Sequence, residues 1–130
     1  PLLFWRKEYQ TDSGGSGRYR GGLGQVIEIE NAIGQDMELL AAFDRIHFPA
    51  RGRAGGADGA AGRVALKQNG ELQGKGCQLI PADDRLIINT PGGGGFGPAS
   101  QRDRQRVRRD LTNGIISHHA AVDDYALTDG

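Results

Sequence analysis

The chain has 130 residues, and 16 lysine and arginine residues balance 16 aspartate and glutamate residues, so its formal net charge is zero. A neutral chain disfavours nucleic acid and anionic membranes as partners. Hydrophobic residues make up 37% of the sequence, which is enough for one globular domain. Glycine supplies 22 residues, and because helices tolerate so much glycine badly, we expect mainly strands and shaped loops.

The single cysteine, Cys77, cannot form an internal disulfide and is typical of a reducing, cytoplasmic compartment. The sequence shows neither an apolar run that would span a bilayer nor a secretory leader. Because the chain starts at Pro1 and not at a methionine, we expect a fragment of a longer polypeptide or a processed chain.

The first third of the chain predicts strands separated by glycine loops. Leu2–Tyr9 mixes apolar and charged residues as a short strand does, and residues 11–24 have the composition of a loop that ends in a glycine turn. Gln25–Glu30 alternates apolar and acidic residues, and Met37–Phe43 has the same period of two. Because only a short turn separates the last two strands, we predict that they form a hairpin.

The middle of the chain predicts irregular structure followed by short strands. In residues 44–62 glycine recurs near every third position, but without the proline pattern of collagen. Residues 63–67 predict a strand before an Asn-Gly turn at 69–70. Gln78–Ile80 predicts a short strand, and Leu86–Asn89, apolar on both faces, predicts a covered central strand.

The C-terminal part of the chain predicts helices. Val107, Leu111 and Ile115 recur at four-residue spacing, and Asn113-Gly114 is placed to end that helix. Ser117 is placed to cap a second short helix. On that helix four residues share a face: His118, Ala121, Val122 and Tyr125.

The predicted fold class is therefore mainly β (α+β), in a single domain. A glycine-rich β-sandwich or barrel-like body covers residues 1–98, and a tail with two short helices covers residues 99–130.

Two glycine tracts are partly similar to phosphate-binding motifs. Gly92-x-Gly94-x-x-Gly97 matches the dinucleotide fingerprint and follows a strand, but Pro98 prevents a helix from opening on the last glycine. Residues 70–76 are one residue short of a phosphate-binding loop and lack its metal-binding hydroxyl. We expect tight backbone turns at both tracts.

We expect the other polar residues to have structural roles and not catalytic or metal-binding roles. The spacing of His47, His118 and His119 predicts no metal site made by this chain alone, and we expect packing or exposure for all three. Cys77 has no basic neighbour and predicts a structural thiol. The basic run predicts a solvated helix face, because Asp103 and Asp110 dilute its charge; it comprises Arg102, Arg104, Arg106, Arg108 and Arg109.

Several glycine motifs together resemble the hydantoinase B/oxoprolinase family. Asp12–Gly24 (DSGGSGRYRGGLG) is similar to a family signature, as are the DR, FP and AGG motifs between residues 44 and 63. Thr90–Gly97 (TPGGGGFG) is the third match, and residues 102–125 resemble the family's closing helices. Departures at Ile46-His47, Ala99 and Ala126 leave the glycine framework intact.

The resemblance implies the C-terminal segment of the B-type subunit of an ATP-dependent hydrolase that opens hydantoin or 5-oxoproline rings. It implies ATP and a divalent metal in the full complex, but no cofactor bound by this segment, whose catalytic residues are expected elsewhere. The implied partners are the remainder of the B-type subunit, an actin-like A-type ATPase subunit and a small cyclic amide. The alternatives are a docking or stabilising module, or part of a related ATP-dependent ketone carboxylase.

We expect the three glycine segments to lie close together and to shape the wall of a cavity or a subunit interface. Arginines in these motifs are candidates because guanidinium holds carboxylate or phosphate with two hydrogen bonds. In the alternative interpretation they pair with Asp12, Asp44 or Glu28 and only fix the loops. The candidate ligand or interface residues are Arg18, Arg20, Gly21, Gly22, Asp44, Arg45, Gly92, Gly93, Gly94 and Gly95.

Overall fold

The computed structural model describes residues 1–128 and has a mainly β fold with two antiparallel sheets. The strands are β1 (Leu2–Tyr9), β2 (Gln25–Asn31), β3 (Met37–Ala42), β4 (Arg63–Leu66), β5 (Gly70–Glu71), β6 (Lys75–Ile80) and β7 (Leu86–Asn89). The helices are α1 (Arg104–Thr112) and α2 (His118–Asp123), preceded by a 3-10 turn at Ala99–Gln101. The predicted fold class is confirmed.

The larger sheet has the strand order β1-β2-β7-β4-β5, so β7 is its central strand. The prediction of a covered central strand at residues 86–89 is therefore confirmed. Leu86 lies directly opposite Ile29 on one side and Leu66 on the other, and both Leu86 and Leu66 are buried. The apolar side chains on this face supply one layer of the core.

The second sheet is a two-stranded ribbon of β3 and β6. The predicted hairpin between the second and third strands is wrong, because β2 pairs with β1 and β7 while β3 pairs with β6. β2 and β3 each have one apolar face. The chain crosses from the larger sheet to a second layer after β2, so the two faces are buried against each other. Met37 and Leu39 of β3 then pack, as Ile29 of β2 does, on the buried cluster that contains Leu86.

Two strands, β6 of the ribbon and β5 of the larger sheet, show the limits of the sequence patterns. β6 is longer than predicted because its first residues lack the alternation of a half-buried strand: Gly76 has φ +100° and Cys77 is exposed. β5 has only two residues, too few to show any period, and follows the predicted turn at Asn69.

The helical tail has its own apolar core around Val107, Ile116 and Tyr125. Asp103 caps α1 by accepting a hydrogen bond from the Arg106 amide, and Gly114 follows the helix with φ +68°. Among residues 1–128 no helix is long and apolar enough to cross a lipid bilayer.

The second helix begins as predicted, because the Ser117 hydroxyl accepts a hydrogen bond from the Ala120 amide at 3.1 Å. Its predicted apolar face is wrong in part. Ala120, Ala121 and Tyr125 are buried, whereas His118 and Val122 are exposed. The two adjacent alanines are small enough to pack against α1 together, which a four-residue period does not predict.

One end of the larger sheet carries a charged cluster instead of apolar side chains. The Glu28 carboxylate accepts hydrogen bonds from Arg85 at 2.8 Å and Lys67 at 2.7 Å. Arg85 also binds Glu30 at 2.9 Å, and its guanidinium lies 3.8 Å from the centre of the Trp5 ring. These contacts connect β1 and β2 with Lys67, which directly follows β4, and with Arg85, which directly precedes β7.

The hydrogen bonds from Arg85 and Lys67 lower the pKa of Glu28 below its usual value near 4.5. A lowered pKa in the folded state gives stability that is present above the unfolded pKa and is lost as the pH falls through the folded pKa. We expect Glu28→Gln to be less stable than the wild type at neutral pH. Below about pH 4.5 the difference should shrink.

Urea unfolding between about pH 3 and about pH 7 measures this dependence. The same substitution at Glu38, exposed on β3, is the control and should leave the profile unchanged. A constant difference between wild type and Glu28→Gln at every pH would show that Glu28 does not contribute through its charge.

Candidate functional site

The three glycine segments pack against one another, and we call residues 13–24, 50–62 and 90–97 the glycine bundle. The Ala60 amide donates to the Ser13 carbonyl at 2.8 Å, and the Gly92 amide donates to the Ala60 carbonyl at 3.0 Å. Between the first and third segments, the Gly93 amide donates to the Gly22 carbonyl at 2.9 Å. The expected proximity of the three segments is confirmed.

Glycine is required in this bundle because backbone lies directly against backbone. A Cβ on Gly92 would lie 1.7 Å from the Ser13 carbonyl oxygen, and one on Gly21 would lie 2.0 Å from the Gly93 oxygen. Within the bundle only Gly55 and Gly97 have positive φ among the glycines. Close approach, not an unusual backbone conformation, therefore explains most of the glycine motifs. The positions where a Cβ would come within 3 Å of backbone are Gly14, Gly15, Gly17, Gly21, Gly24, Gly52, Gly56, Gly59, Gly92, Gly94 and Gly95.

The glycine tract after β7 does not fit a dinucleotide. Its amides already donate within the chain: Gly93 to Gly22, Gly95 to Ala57 at 2.8 Å and Gly97 to Arg53 at 3.0 Å. Pro98 is followed by a three-residue 3-10 turn, so no α-helix N-terminus faces the tract. The expectation of a tight backbone turn agrees with this geometry.

The residues described, 1–128, also contain no group of three or more histidine, cysteine, aspartate or glutamate side chains placed to hold a metal ion. His47, His118 and His119 are all exposed, and His119 forms a 3.0 Å pair with Asp123. Cys77 is exposed on β6 and not packed in the core.

Asp110 of α1 anchors the helical tail to the glycine bundle. Its Oδ2 accepts from Arg20 Nε at 3.1 Å and from Arg102 Nη2 at 2.8 Å. The side chains of Asp110 and Arg102 are 4% and 7% exposed, so both charges are buried together. Arg102 also donates to the Arg18 carbonyl at 3.3 Å. The prediction that Arg102 lies on a solvated helix face is therefore wrong.

Tyr125 belongs to the same junction, and its side chain is fully buried in the core of the tail. Burial raises the pKa of the Tyr125 hydroxyl, although the nearby cations of Arg102 and Arg20 act in the opposite direction. The hydroxyl therefore stays neutral at physiological pH, and it contributes packing to the junction rather than charge.

Arg20 consequently has a structural partner. Arg20 pairs with Asp110, and not with Asp12, Asp44 or Glu28, the three acids of the alternative interpretation. Those acids bind other groups. Asp12 accepts from the Ser117 amide, Asp44 pairs with Lys75, and Glu28 pairs with Lys67 and Arg85.

Arg18 belongs to an exposed aromatic and basic surface at one side of the bundle. Phe96 pairs through backbone bridges with Tyr19 on one side and Arg53 on the other. Directly paired residues have side chains on the same side, and the Tyr19 and Phe96 ring centres are 6.4 Å apart. The Arg18 guanidinium lies 5.5 Å from the centre of the Tyr19 ring. We call Arg18, Tyr19, Arg53 and Phe96 the aromatic platform.

An open depression of about 350 Å³ adjoins the platform and is lined by Arg18, Tyr19, Gln101, Asp103 and Arg106. Its two guanidinium groups can bind a carboxylate or a phosphate, and the aromatic rings offer apolar contact area beside them. Rigid aromatic side chains with nearby arginine are typical of the residues that dominate protein–protein binding energies.

Asp44 and Arg45 lie in a different place from the other candidates. They line a depression of about 240 Å³ with Phe43, Phe48 and Lys75. Arg45 has φ +58°, and its carbonyl accepts from the Gly62 amide, so its backbone fixes the entry to the second bundle segment. The structure thus brings together Arg18, Arg20 and the glycines of the first and third motifs, but not Asp44 and Arg45.

Sequence reasoning missed Tyr19, Arg53, Phe96 and Asp110. The aromatic residues interrupt two glycine runs, and a large side chain within such a run is a signal that it points outward from the packed backbone. No local pattern connects Asp110 with Arg20, because 90 positions separate them along the chain.

The chain is similar to known proteins of one family. The family model described as hydantoinase B/oxoprolinase matches residues 1–99. Caprolactamase subunit beta of Pseudomonas jessenii is 31% identical over 136 residues, which cover 98% of this chain and 23% of that protein. 5-Oxoprolinase 1 of Arabidopsis thaliana is 40% identical over 101 residues, which cover 75% of this chain and 8% of that protein.

The crystal structure of the ATP-dependent caprolactamase from Pseudomonas jessenii superimposes on the whole of this chain with a TM-score of 0.80 and 25% sequence identity. The match covers 24% of the caprolactamase chain. This chain therefore spans about a quarter, or less, of the length of these relatives. On the family match over residues 1–99, the chain belongs to the hydantoinase B/oxoprolinase family.

Proposed function

We propose that these 130 residues form the C-terminal part of the B-type subunit of an ATP-dependent cyclic-amide hydrolase. In this proposal the glycine bundle is a rigid support, and the aromatic platform forms part of the wall that a partner subunit or the substrate contacts. Water is added across the ring C–N bond at residues outside this segment. The product is a linear amino acid from a lactam or 5-oxoproline, and a linear N-carbamoyl amino acid from a hydantoin. Hydantoin and 5-oxoproline are the first substrates to test.

The observation that carries the proposal is the convergence of the three glycine motifs on one packed bundle that presents the aromatic platform. The relatives support the reaction class, since one is named a caprolactamase subunit and another a 5-oxoprolinase. A lactam and 5-oxoproline share a cyclic amide bond, which is the chemical feature that the substrate class requires.

The test uses the reading frame that contains these residues, which the proposal expects to encode a protein roughly four times as long. The complete subunit is purified with an A-type ATPase subunit from the same genome. We expect ATP hydrolysis that is stimulated by 5-oxoproline, caprolactam or hydantoin, together with the ring-opened product by mass spectrometry. A complex that hydrolyses ATP at the same rate with and without every cyclic amide contradicts the proposal.

The aromatic platform gives a sharper prediction. We expect Arg53→Ala and Phe96→Ala in the complete complex to weaken subunit association or activity by about 10-fold or more, because exposed arginine and aromatic anchors dominate such contacts. The matched control is Arg63→Ala, which removes an exposed arginine paired only with exposed Glu71. Both platform variants should retain the wild-type midpoint of thermal unfolding as isolated chains.

Association and activity separate the catalytic role from a docking role. If Arg53→Ala weakens association but leaves the rate of the assembled complex unchanged, the segment is a docking module. If Arg53→Ala and Phe96→Ala change neither quantity, the platform is not part of a functional wall.

A further inference from the structure

The first strand of the larger sheet has an unpaired edge and two exposed faces. β1 is the terminal strand of that sheet and pairs only with β2 among the strands of residues 1–128. All eight of its residues are exposed. Leu2, Phe4 and Trp5 are 56%, 54% and 52% exposed. A long edge strand with large apolar side chains on both faces is a template for further strand pairing unless it is covered.

The register shows which backbone groups remain free on this edge. The Gln10 amide donates to the Gly24 carbonyl at 2.9 Å, and Tyr9 lies opposite Gln25. Inward and outward amides alternate along an antiparallel strand, so the amide of Glu8 points toward β2. The amides of Lys7 and Tyr9 therefore point away from β2, into the unpaired edge.

The other end of β1 has the same arrangement. The Ala32 amide donates to the Pro1 carbonyl at 3.1 Å, and Leu2 lies opposite Asn31. By the same alternation the amides of Leu2 and Phe4 point outward. The bulge between Phe4 and Arg6 shifts the register by one residue, so the two ends each offer two outward amides.

The occupant of this edge is identified by the length of the relatives and by the chemistry of the strand. Pseudomonas jessenii caprolactamase subunit beta has roughly four times the length of this chain, so most of such a subunit lies outside the matched region. The edge offers backbone donors and acceptors, flanked by apolar side chains over residues 2–5 and by charged side chains over residues 6–8. Such an edge fits an extended strand of mixed composition and not a small polar ligand.

We infer that β1 pairs with an additional β-strand supplied by the remainder of the B-type subunit, so that the larger sheet continues beyond these residues. This inference rests on the proposed function, because it needs a longer subunit. It goes further by assigning the intrasubunit interface to the outward edge of β1 and to the side chains of Leu2, Phe4 and Trp5.

Amide hydrogen exchange tests the pairing directly. In the 130-residue chain alone, we expect the Lys7 and Tyr9 amides to exchange rapidly while the Glu8 amide is protected by β2. In the complete subunit, we expect the Lys7 and Tyr9 amides to exchange at least about 100-fold more slowly. Equal exchange of Lys7 and Tyr9 in both proteins overturns the inference.

A proline at an outward position gives an independent test. Lys7→Pro removes a donor from the free edge but none from the β1–β2 ladder, because proline is tolerated where an edge amide faces away from the sheet. We expect it to lower the thermal midpoint of the complete subunit but not that of the 130-residue chain. Lys7→Ala should lower neither, and Glu8→Pro, which removes an inward donor, should destabilise both.

A second copy of this chain is the competing occupant. Concentration-dependent protection of Lys7 and Tyr9 in the 130-residue chain, with a dimer in sedimentation, would assign the edge to self-association and overturn the inference. These readouts need no substrate and no A-type subunit. A complete subunit that protects β1 but acts on no cyclic amide would therefore contradict the proposed function alone.

Discussion

Gly92→Ala is expected to destabilise the chain by roughly 3 kcal/mol or more, because the added methyl group has no room in the glycine bundle. Its Cβ would lie 1.7 Å from the Ser13 carbonyl oxygen and 2.5 Å from the Ser13 carbonyl carbon. Both atoms belong to backbone, so no side-chain rotation relieves the overlap. The first and third bundle segments must separate, and the hydrogen bond from Gly92 to Ala60 is strained.

Gly22→Ala is the matched control for this experiment. Gly22 belongs to the same bundle, but its Cβ would meet no atom within 4 Å. Its φ lies outside the left-handed range, so an L side chain brings no backbone strain there. We expect this variant to stay within about 0.5 kcal/mol of the wild type. Urea unfolding of the 130-residue chain measures both. Equal stability of the two variants would show that the backbone segments do not need their close contact.

The glycine bundle also shows what a sequence can predict. The sequence motifs predict that the three glycine segments meet, and residues 13–24, 50–62 and 90–97 do so. Glycine is needed there for close approach of the backbone, whereas positive φ is needed only at Gly55 and Gly97. Strands with an alternating or fully apolar pattern are also predictable from the sequence, as at Gln25–Asn31 and Leu86–Asn89. A strand buried on one face alternates apolar and polar residues, and a strand covered on both faces is apolar throughout.

Pairing between distant segments could not be predicted. The short turn between β2 and β3 favours a hairpin. The apolar faces of these two strands instead pack on each other from two different layers. The same limit applies to the candidate site. Arg20 is predicted as a ligand or interface residue, or else as the partner of Asp12, Asp44 or Glu28, but it pairs with Asp110 of α1, far along the chain. Asp44 has a neighbouring arginine in sequence, but it pairs with Lys75 across the ribbon.

The largest electrostatic effect is expected for Asp110→Asn. This change keeps the side-chain shape but leaves Arg20 and Arg102 without their anionic partner in a buried site. Breaking a buried ion pair by removing one partner costs about 3–5 kcal/mol, because the remaining charge is neither hydrated nor paired. Here two cations are left, so we expect a loss of about 3 kcal/mol or more in the free energy of unfolding.

Glu71→Gln provides the contrast, since it breaks an ion pair with Arg63 in which both side chains are exposed, and it should cost less than about 1 kcal/mol. A triple variant with Arg20→Met, Arg102→Met and Asp110→Leu should recover much of the loss, because apolar packing replaces the buried charges. If Asp110→Asn is as stable as Glu71→Gln, the ion pairs do not hold the tail against the bundle. If it is unstable and the triple variant is not, the buried charge itself is the cause, and the tail stays in place through its apolar contacts around Val107 and Tyr125.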